Sequence, residues 1–262
     1  MVSKPNLTGD NAIRQLQALG FSDEQEPDWR RLVVNLYGRE KTGKTHFALT
    51  APEPIFFFNI DIGTKGVVDK FQVSGKKIYV YNVRVRKGET IDVYKTLWTE
   101  LKSRVEKVYD VGKGTLVFDT GTEAYELCRL AAFGKLTEVK PHHYAPVNAE
   151  WRELLRTAYD SPMNTIFIHK AKPKYVDNQR TKEYEVAGFG EMGFMSEVNM
   201  TTQAITKDES GAIHFSVLVE NCRKHPYVAG TVFESLPVSA ERGESIDDPL
   251  YNFERLLEAV FD

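Results

Sequence analysis

Residues 32–45 read Leu32-Val33-Val34-Asn35-Leu36-Tyr37-Gly38-Arg39-Glu40-Lys41-Thr42-Gly43-Lys44-Thr45, and this stretch decides the fold. Residues 32–37 form an apolar run of strand length that stops at a glycine. The next eight residues fit G-x-x-x-x-G-K-[ST], and residues 44–50 carry helical character before Pro52 and Pro54. Strand, glycine loop and helix in that order can wrap a triphosphate with backbone N–H groups. Gly38 and Gly43 permit the tight path. Arg39, Glu40, Lys41 and Thr42 supply loop amides, and Lys44 meets the β- and γ-phosphates as a point charge. Thr45 offers a hydroxyl to magnesium, and the helix start turns its positive end toward the phosphates. Four constrained positions match by chance in roughly one chain in a hundred of this length, and the flanking strand and helix sharpen the signal. The expected ligands are ATP and Mg2+.

Outward from the loop, apolar strands alternate with helices. Residues 55–60 (IFFFNI), 78–83 (IYVYNV), 115–119 (TLVFD) and 164–169 (NTIFIH) read as further strands. Residues 91–109 have helical spacing, with Val93, Leu97, Leu101 and Val105 on one face. Helices are also expected at about 123–136 and 148–159. This alternation predicts an α/β fold, a mainly parallel sheet flanked by helices on both faces, with hairpin elements near residues 202–206 and 213–219. An N-terminal arm, 1–28, carries a short helix at 11–19. The core spans 29–233, and an acidic tail, 234–262, ends in a helix at 250–261 behind Pro249. That tail holds eight acidic and two basic side chains and reads as a solubilising helix.

Composition sets outer bounds. The 262 residues are 42% hydrophobic and 27% charged, typical of a folded globular chain. The net charge of −3 gives no bulk signal for nucleic acid. MVSKPNLTGD at the start has no apolar signal-peptide region, and no apolar run reaches the roughly 18 residues of a membrane span. Two cysteines, Cys128 and Cys222, make neither a disulfide framework nor a zinc set, which fits a reducing cytoplasm.

Two acids stand where strands end. Asp119 closes its strand at the crevice side and fits the magnesium site; a strand-ending Asp that caps the next helix is the lesser alternative. Asp61 follows Asn59-Ile60, where a carboxylate past a neighbouring strand could reach the γ-phosphate and orient water. Glu123 is the second choice for that role, since it also suits the first turn of a helix.

The ordered set GREKTGKT, FNID, LVFD and IFIH resembles the RecA-like ATPase core over residues 30–233. It is most similar to small phage-encoded versions associated with single-strand annealing and recombination. The resemblance implies that Asp61 takes the place of a catalytic glutamate and that Asp119 is the magnesium-associated aspartate. It further implies that His169 senses the γ-phosphate, and that Arg223 or Lys224 acts as a finger in a neighbour's ATP site. The implied setting is a ring or filament in the cytoplasm, that of the host if the chain is phage-encoded.

Residues 170–182 hold Lys170, Lys172, Lys174, Arg180 and Lys182 against Asp177 alone, with Tyr175 and Tyr184 interleaved. Basic side chains neutralise phosphates and rings stack on unpaired bases. Gly188-Phe189-Gly190-Glu191-Met192-Gly193-Phe194-Met195 then reads as a loop whose Phe189 and Phe194 could enter between bases. A solvated hairpin followed by a packed loop is the plainer alternative. Residues 133–147 form a second candidate loop, with Lys140, His142 and His143. The leading expectation is an ATP-hydrolysing protein acting on single-stranded DNA, with a single-strand-binding protein as a possible partner. A nucleotide-gated loader of replication factors and a P-loop small-molecule kinase are the alternatives.

Overall fold

The computed structural model describes residues 9–22, 29–61, 64–86, 88–136, 138, 140–177, 179–238 and 248–262. The chain divides into two units, Met1–Arg30 and Arg31–Asp262. The first holds helix α1 (Gly9–Ala18). The second runs β1 (Val33–Gly38), α2 (Lys44–Leu49), β2 (Ile55–Asn59), α3 (Lys65–Val73), β3 (Ile78–Asn82), α4 (Ile91–Tyr109), β4 (Thr115–Asp119), α5 (Gly121–Phe133) and α6 (Pro141–Tyr159). It continues with β5 (Asn164–Val176), β6 (Gln179–Val186), α7 (Met192–Met195), β7 (Val198–Thr202), β8 (Thr206–Lys207), β9 (Ile213–His214), β10 (Ser216–Cys222), β11 (Val232–Glu234) and α8 (Phe253–Phe261).

Among the described residues, nine strands form one sheet in the order β11-β10-β7-β1-β5-β4-β2-β3, with β6 paired to β5. From β7 to β3 every neighbouring pair is parallel. β10, β11 and β6 run antiparallel to their partners. This is the expected α/β architecture, a mainly parallel sheet.

Period-two alternation sorts side chains onto the two faces. Val34, Leu36, Phe57, Val117, Ile166 and Ile168 join α2 and α8 in one core. Val33, Phe58, Leu116, Phe118 and Phe167 join α4, α5 and α6 in the other. Cover on both faces is why all six residues of β1 are buried. Aromatic rings fill the second core, with Phe118 and Phe167 stacked at 4.8 Å. No helix among the described residues is long and apolar enough to cross a membrane.

Four expectations need correction. Helix α3 follows β2 and was not anticipated; only Val68 and Phe71 of it are fully inside the core, too weak a periodic signal. Helix α6 starts at Pro141, not 148, so residues 141–147 of the candidate loop 133–147 are helix. Pro141 suits a first turn and Pro146 is accommodated inside the helix. Strand β5 continues seven residues beyond His169 to Val176.

The fourth correction concerns the acidic tail. Its helix α8 is no mere solubiliser: Phe253, Leu256, Leu257 and Val260 are buried in the core. Asn252 caps it, accepting the Arg255 N–H at 2.9 Å. The Phe253 N–H donates to Thr50 Oγ1 at 2.8 Å, which ties the helix to the end of α2. Burying each of these side chains contributes about 1.5–3 kcal/mol.

Candidate functional site

The C-terminal ends of β1 and β4 and the middle of β5, at Lys170 and Ala171, open into a cleft of about 720 Å3, a size that suits a nucleotide. The loop after β1 lines it. Lys41 holds φ 58° and Gly43 φ 87°, the left-handed turns that bend the loop amides inward. A side chain at position 43 would press on the Tyr251 hydroxyl at 3.0 Å and on the Phe215 ring at 3.1 Å. At Gly38 an added Cβ would lie 1.9 Å from Thr202 Oγ1. Thr42 anchors the loop, its hydroxyl 2.8 Å from the Arg39 carbonyl and 2.5 Å from Thr202 Oγ1. Lys44 Nζ donates to the Gly38 carbonyl at 2.9 Å and also to that of Arg39. Burial pulls the Lys44 ammonium down, against Asp119 and Glu40, which favour its charge.

The Thr45 hydroxyl donates to Asp119 Oδ2 at 2.7 Å. Burial pushes the Asp119 carboxyl up to about 6, with the Thr45 hydrogen bond opposing it. A hydroxyl and a buried carboxylate oxygen are hard donors of the kind magnesium takes alongside phosphate oxygens and water. Thr45 and Asp119 therefore fit Mg2+. A divalent cation there would favour the charged carboxylate that burial alone disfavours. Among the described residues no group of three His, Cys, Asp or Glu side chains makes a metal cage of its own.

The structure brings Asp61 and Glu123 to the same place. Lys170 Nζ lies 3.1 Å from Asp61 Oδ2 and 2.7 Å from Glu123 Oε1. The Asp61 and Ile60 N–H groups both donate to the Asp119 carbonyl, at 3.1 and 2.7 Å, which locks the end of β2 to the end of β4. Burial pulls the Lys170 ammonium down, but its hydrogen bonds to Glu123 and Asp61 outweigh that and raise it. Lys170, read from the sequence as part of a basic DNA-facing run, lines the cleft beside the phosphate loop.

His169 is corrected in turn. It is 0% exposed and absent from the cleft wall. Its Nδ1 sits 3.4 Å from Thr122 Oγ1 and 3.3 Å from the Ala187 carbonyl. Burial drives its pKa down to about 4. Strand parity explains the exchange: His169 points to the α5 face with Phe167, and Lys170 to the loop face with Ile168.

Sequence reasoning missed the rest of the cleft wall. Phe215, Ser235, Val238, Asp248 and Tyr251 line it, with His46, Thr64 and Val67. Tyr251 is 1% exposed, and its hydroxyl donates to the Gly43 carbonyl at 3.4 Å. Asp248 accepts the N–H groups of Leu236, Leu250 and Tyr251 and fixes this wall. The apolar spacing of residues 250–260 was the available signal, since such a face needs a partner.

The stretch 170–186 is a β5–β6 hairpin. Lys172 pairs with Glu185 at 3.3 Å and Lys174 with Glu183 at 2.8 Å, which offsets two of the five basic charges read there. Arg180 and Lys182 remain exposed, as does Tyr175. The Arg39 guanidinium lies 5.6 Å from the Tyr184 ring, so the hairpin touches the phosphate loop. Phe189 is 0% exposed, packed near Tyr125, and cannot be an inserting tip; Phe194, at 80%, keeps that possibility. Arg223 and Lys224 follow the far end of β10. Cys222 pairs with Val198, which pairs with Val34, four residues before the loop glycine and about 13 Å along the strand. Arg223 donates to the Phe194 carbonyl, and Lys224 lies 4.0 Å from Glu197. Neither reaches this chain's own phosphate loop.

Comparison with known proteins adds a family. The model of the AAA domain matches residues 30–206. No curated protein matches the sequence. Among solved structures, the KaiC-like protein PH0186 of the hyperthermophilic archaeon Pyrococcus horikoshii OT3 is similar with a TM-score of 0.46 at 14% identity, over 79% of this chain and 85% of that one. An ATPase from the type III secretion system of pathogenic bacteria is similar with a TM-score of 0.43 at 14% identity, over 65% of this chain and 50% of that one.

Proposed function

The chain belongs to the AAA domain family and is a P-loop ATPase, and on that premise we propose that it hydrolyses Mg-ATP in a cycle coupled to single-stranded DNA, in recombination or strand annealing. The observation that carries the ATP chemistry is the Thr45 hydroxyl held 2.7 Å from Asp119 Oδ2 beside the phosphate loop. Lys44 leaves its two loop carbonyls for the phosphates. Magnesium, when bound, neutralises charge on the β- and γ-phosphate oxygens. Asp61 holds a water in line and accepts its proton as the water oxygen bonds to the γ-phosphorus. The bond from that phosphorus to the β–γ bridging oxygen breaks, and ADP leaves with the oxygen.

Support for DNA is of a different kind. The hairpin grows directly from the strand that holds Lys170, and Arg180, Lys182, Tyr175 and Phe194 offer exposed cations and rings. Lys172 and Lys174 contribute only if DNA displaces their glutamates. Arg223 and Lys224 would serve a neighbouring protomer's site in a ring or filament, since their own loop is at the other end of the sheet. A single-strand-binding protein is a fitting partner for such an assembly.

The test is ATP hydrolysis by wild type and Lys44→Ala, each with and without single-stranded DNA. Turnover that rises with DNA and vanishes in the variant is expected. Turnover lost in the variant but indifferent to DNA would leave the ATPase standing and move the DNA role to a nucleotide-gated loader.

A further inference from the structure

We propose that the half of the cleft beyond the phosphate loop is a nucleobase slot selective for adenine, in which the Phe215 ring stacks on the base while Asp248 and Ser235 read its edge. The inference rests on the Mg-ATP reading above and deepens it. It assigns base selectivity to residues past position 206, where the match to the AAA domain ends.

The walls come first. Val67, Phe215 and Val238 line this half of the cleft, and each is only half-buried, so apolar surface faces the cavity. Triphosphate oxygens gain nothing from such surface, whereas a flat ring with apolar faces does. Phe215 stands beside the phosphate loop, its ring 3.1 Å from the place of a Cβ at position 43. Its backbone is held in both directions. The Phe215 N–H donates to Ser235 Oγ at 2.9 Å, and its carbonyl accepts the Ser235 N–H at 2.7 Å. Tyr251 backs the slot, its ring edge-on to Phe47 at 5.3 Å. The stacking face is therefore set before any ligand enters, which lowers the cost of binding.

The polar edge comes second. Asp248 and Ser235 line the same half of the cleft and are both buried. Asp248 Oδ1 accepts two N–H groups, those of Leu250 at 2.9 Å and Tyr251 at 3.1 Å, and is filled. Oδ2 accepts the Leu236 N–H at 2.7 Å, which pins it beside Ser235 and leaves it room for a second donor. The Ser235 hydroxyl oxygen accepts from Phe215, and among the described residues nothing takes its proton. The slot thus offers one acceptor next to one donor. The two purines carry opposite groups at position 6, an amino donor in adenine and a carbonyl acceptor in guanine. A carboxylate facing position 6, with a hydroxyl facing the ring nitrogen beside it, fits adenine and opposes guanine. Guanine's N1–H and N2–H together call for two free carboxylate oxygens, and here only Oδ2 has room.

The experiment uses the full chain with Mg2+ and displaces a fluorescent ATP analogue with ATP, GTP or inorganic tripolyphosphate. Wild type is expected to bind ATP about tenfold tighter than GTP, or more. Phe215→Ala weakens ATP about tenfold and leaves tripolyphosphate, which has no base, within about twofold. Phe215→Tyr restores ATP. Asp248→Asn turns an acceptor into a donor and narrows the ATP-to-GTP ratio about threefold or more; a merely misfolded variant would lose both nucleotides and tripolyphosphate alike. Equal affinity of wild type for ATP and GTP overturns the reading of Asp248 and Ser235. ATP binding unchanged in Phe215→Ala, with Lys44→Ala not binding, overturns the base slot and leaves the phosphate site intact. Wild type that binds neither ATP nor tripolyphosphate overturns the Mg-ATP reading and this inference together.

Discussion

The two halves of β5 differ more than any two neighbouring regions of the chain. From Asn164 to His169 the strand is buried on both faces. Lys170 is the last residue still paired with β1, opposite Gly38; from Ala171 onward the strand leaves the sheet's cover and pairs only with β6, and Lys172 and Lys174 are met by cross-strand glutamates. The boundary falls between two adjacent residues. His169 is sealed under α5 and neutral, and Lys170 stands in the cleft between two carboxylates. A layer on each face turns polar residues into buried, partnered ones. One layer fewer leaves the same strand to face ligand and solvent.

Substitutions on either side of this boundary sharpen the contrast. The largest effect belongs to the cleft. Asp61→Asn should lower turnover by roughly 100-fold or more, as loss of a general base does, with ATP affinity within about twofold. Single-turnover hydrolysis and nucleotide titration separate the two, and unchanged turnover removes Asp61 from the chemistry. Next is the core that supports the cleft. Leu256→Ala should cost about 2–5 kcal/mol in urea unfolding, whereas Tyr175→Ala on the hairpin should stay within about 0.5 kcal/mol.

His169 provides a pH version of the same comparison. Its folded pKa, about 4, lies below the ordinary 6.5. The neutral form's contribution is thus complete above about 6.5 and is lost as pH falls toward 4. The slope reaches at most about 1.4 kcal/mol per pH unit and totals on the order of 3 kcal/mol. Chemical denaturation of wild type and His169→Gln from pH 7 to 4 checks it; parallel curves would mean the ring is solvated. The smallest effect is on the hairpin. Reversing Lys172 and Lys174 to Glu together should weaken single-strand binding about threefold to tenfold and flatten its salt dependence. Affinity and salt slope equal to wild type would clear this hairpin of DNA contact.

Much of the fold is legible because its signals are local. β4 and α4 have the bounds that spacing predicts, and the ends of β1 and β2 fall within a residue of the expectation. Misreadings cluster where a neighbour sets the outcome. Helix α3 has little periodicity of its own, and α6 tolerates Pro146 because its apolar face packs on the sheet. Phe189 looks like an exposed tip until Tyr125 and its neighbours enclose it. Lys44, Thr45, Asp61 and Asp119, singled out by motif and strand-end position, all line the cleft. Lys170, read only as part of a basic run, lines the same cleft, and Tyr251 carries no local signal for its place there.

The reason is one of range. The phosphate loop lies within eight consecutive residues, so its glycines, lysine and threonine express their chemistry through backbone geometry they set themselves. The same holds for strands whose alternation marks a buried sheet. Which side chain of β5 meets the nucleotide depends on parity against α2 and α5. Which residues close the cleft depends on a contact such as Phe253 to Thr50, spanning 203 positions of chain. Those pairings arise when the sheet and its two helical layers come together, and no local pattern encodes which of two adjacent residues ends up covered.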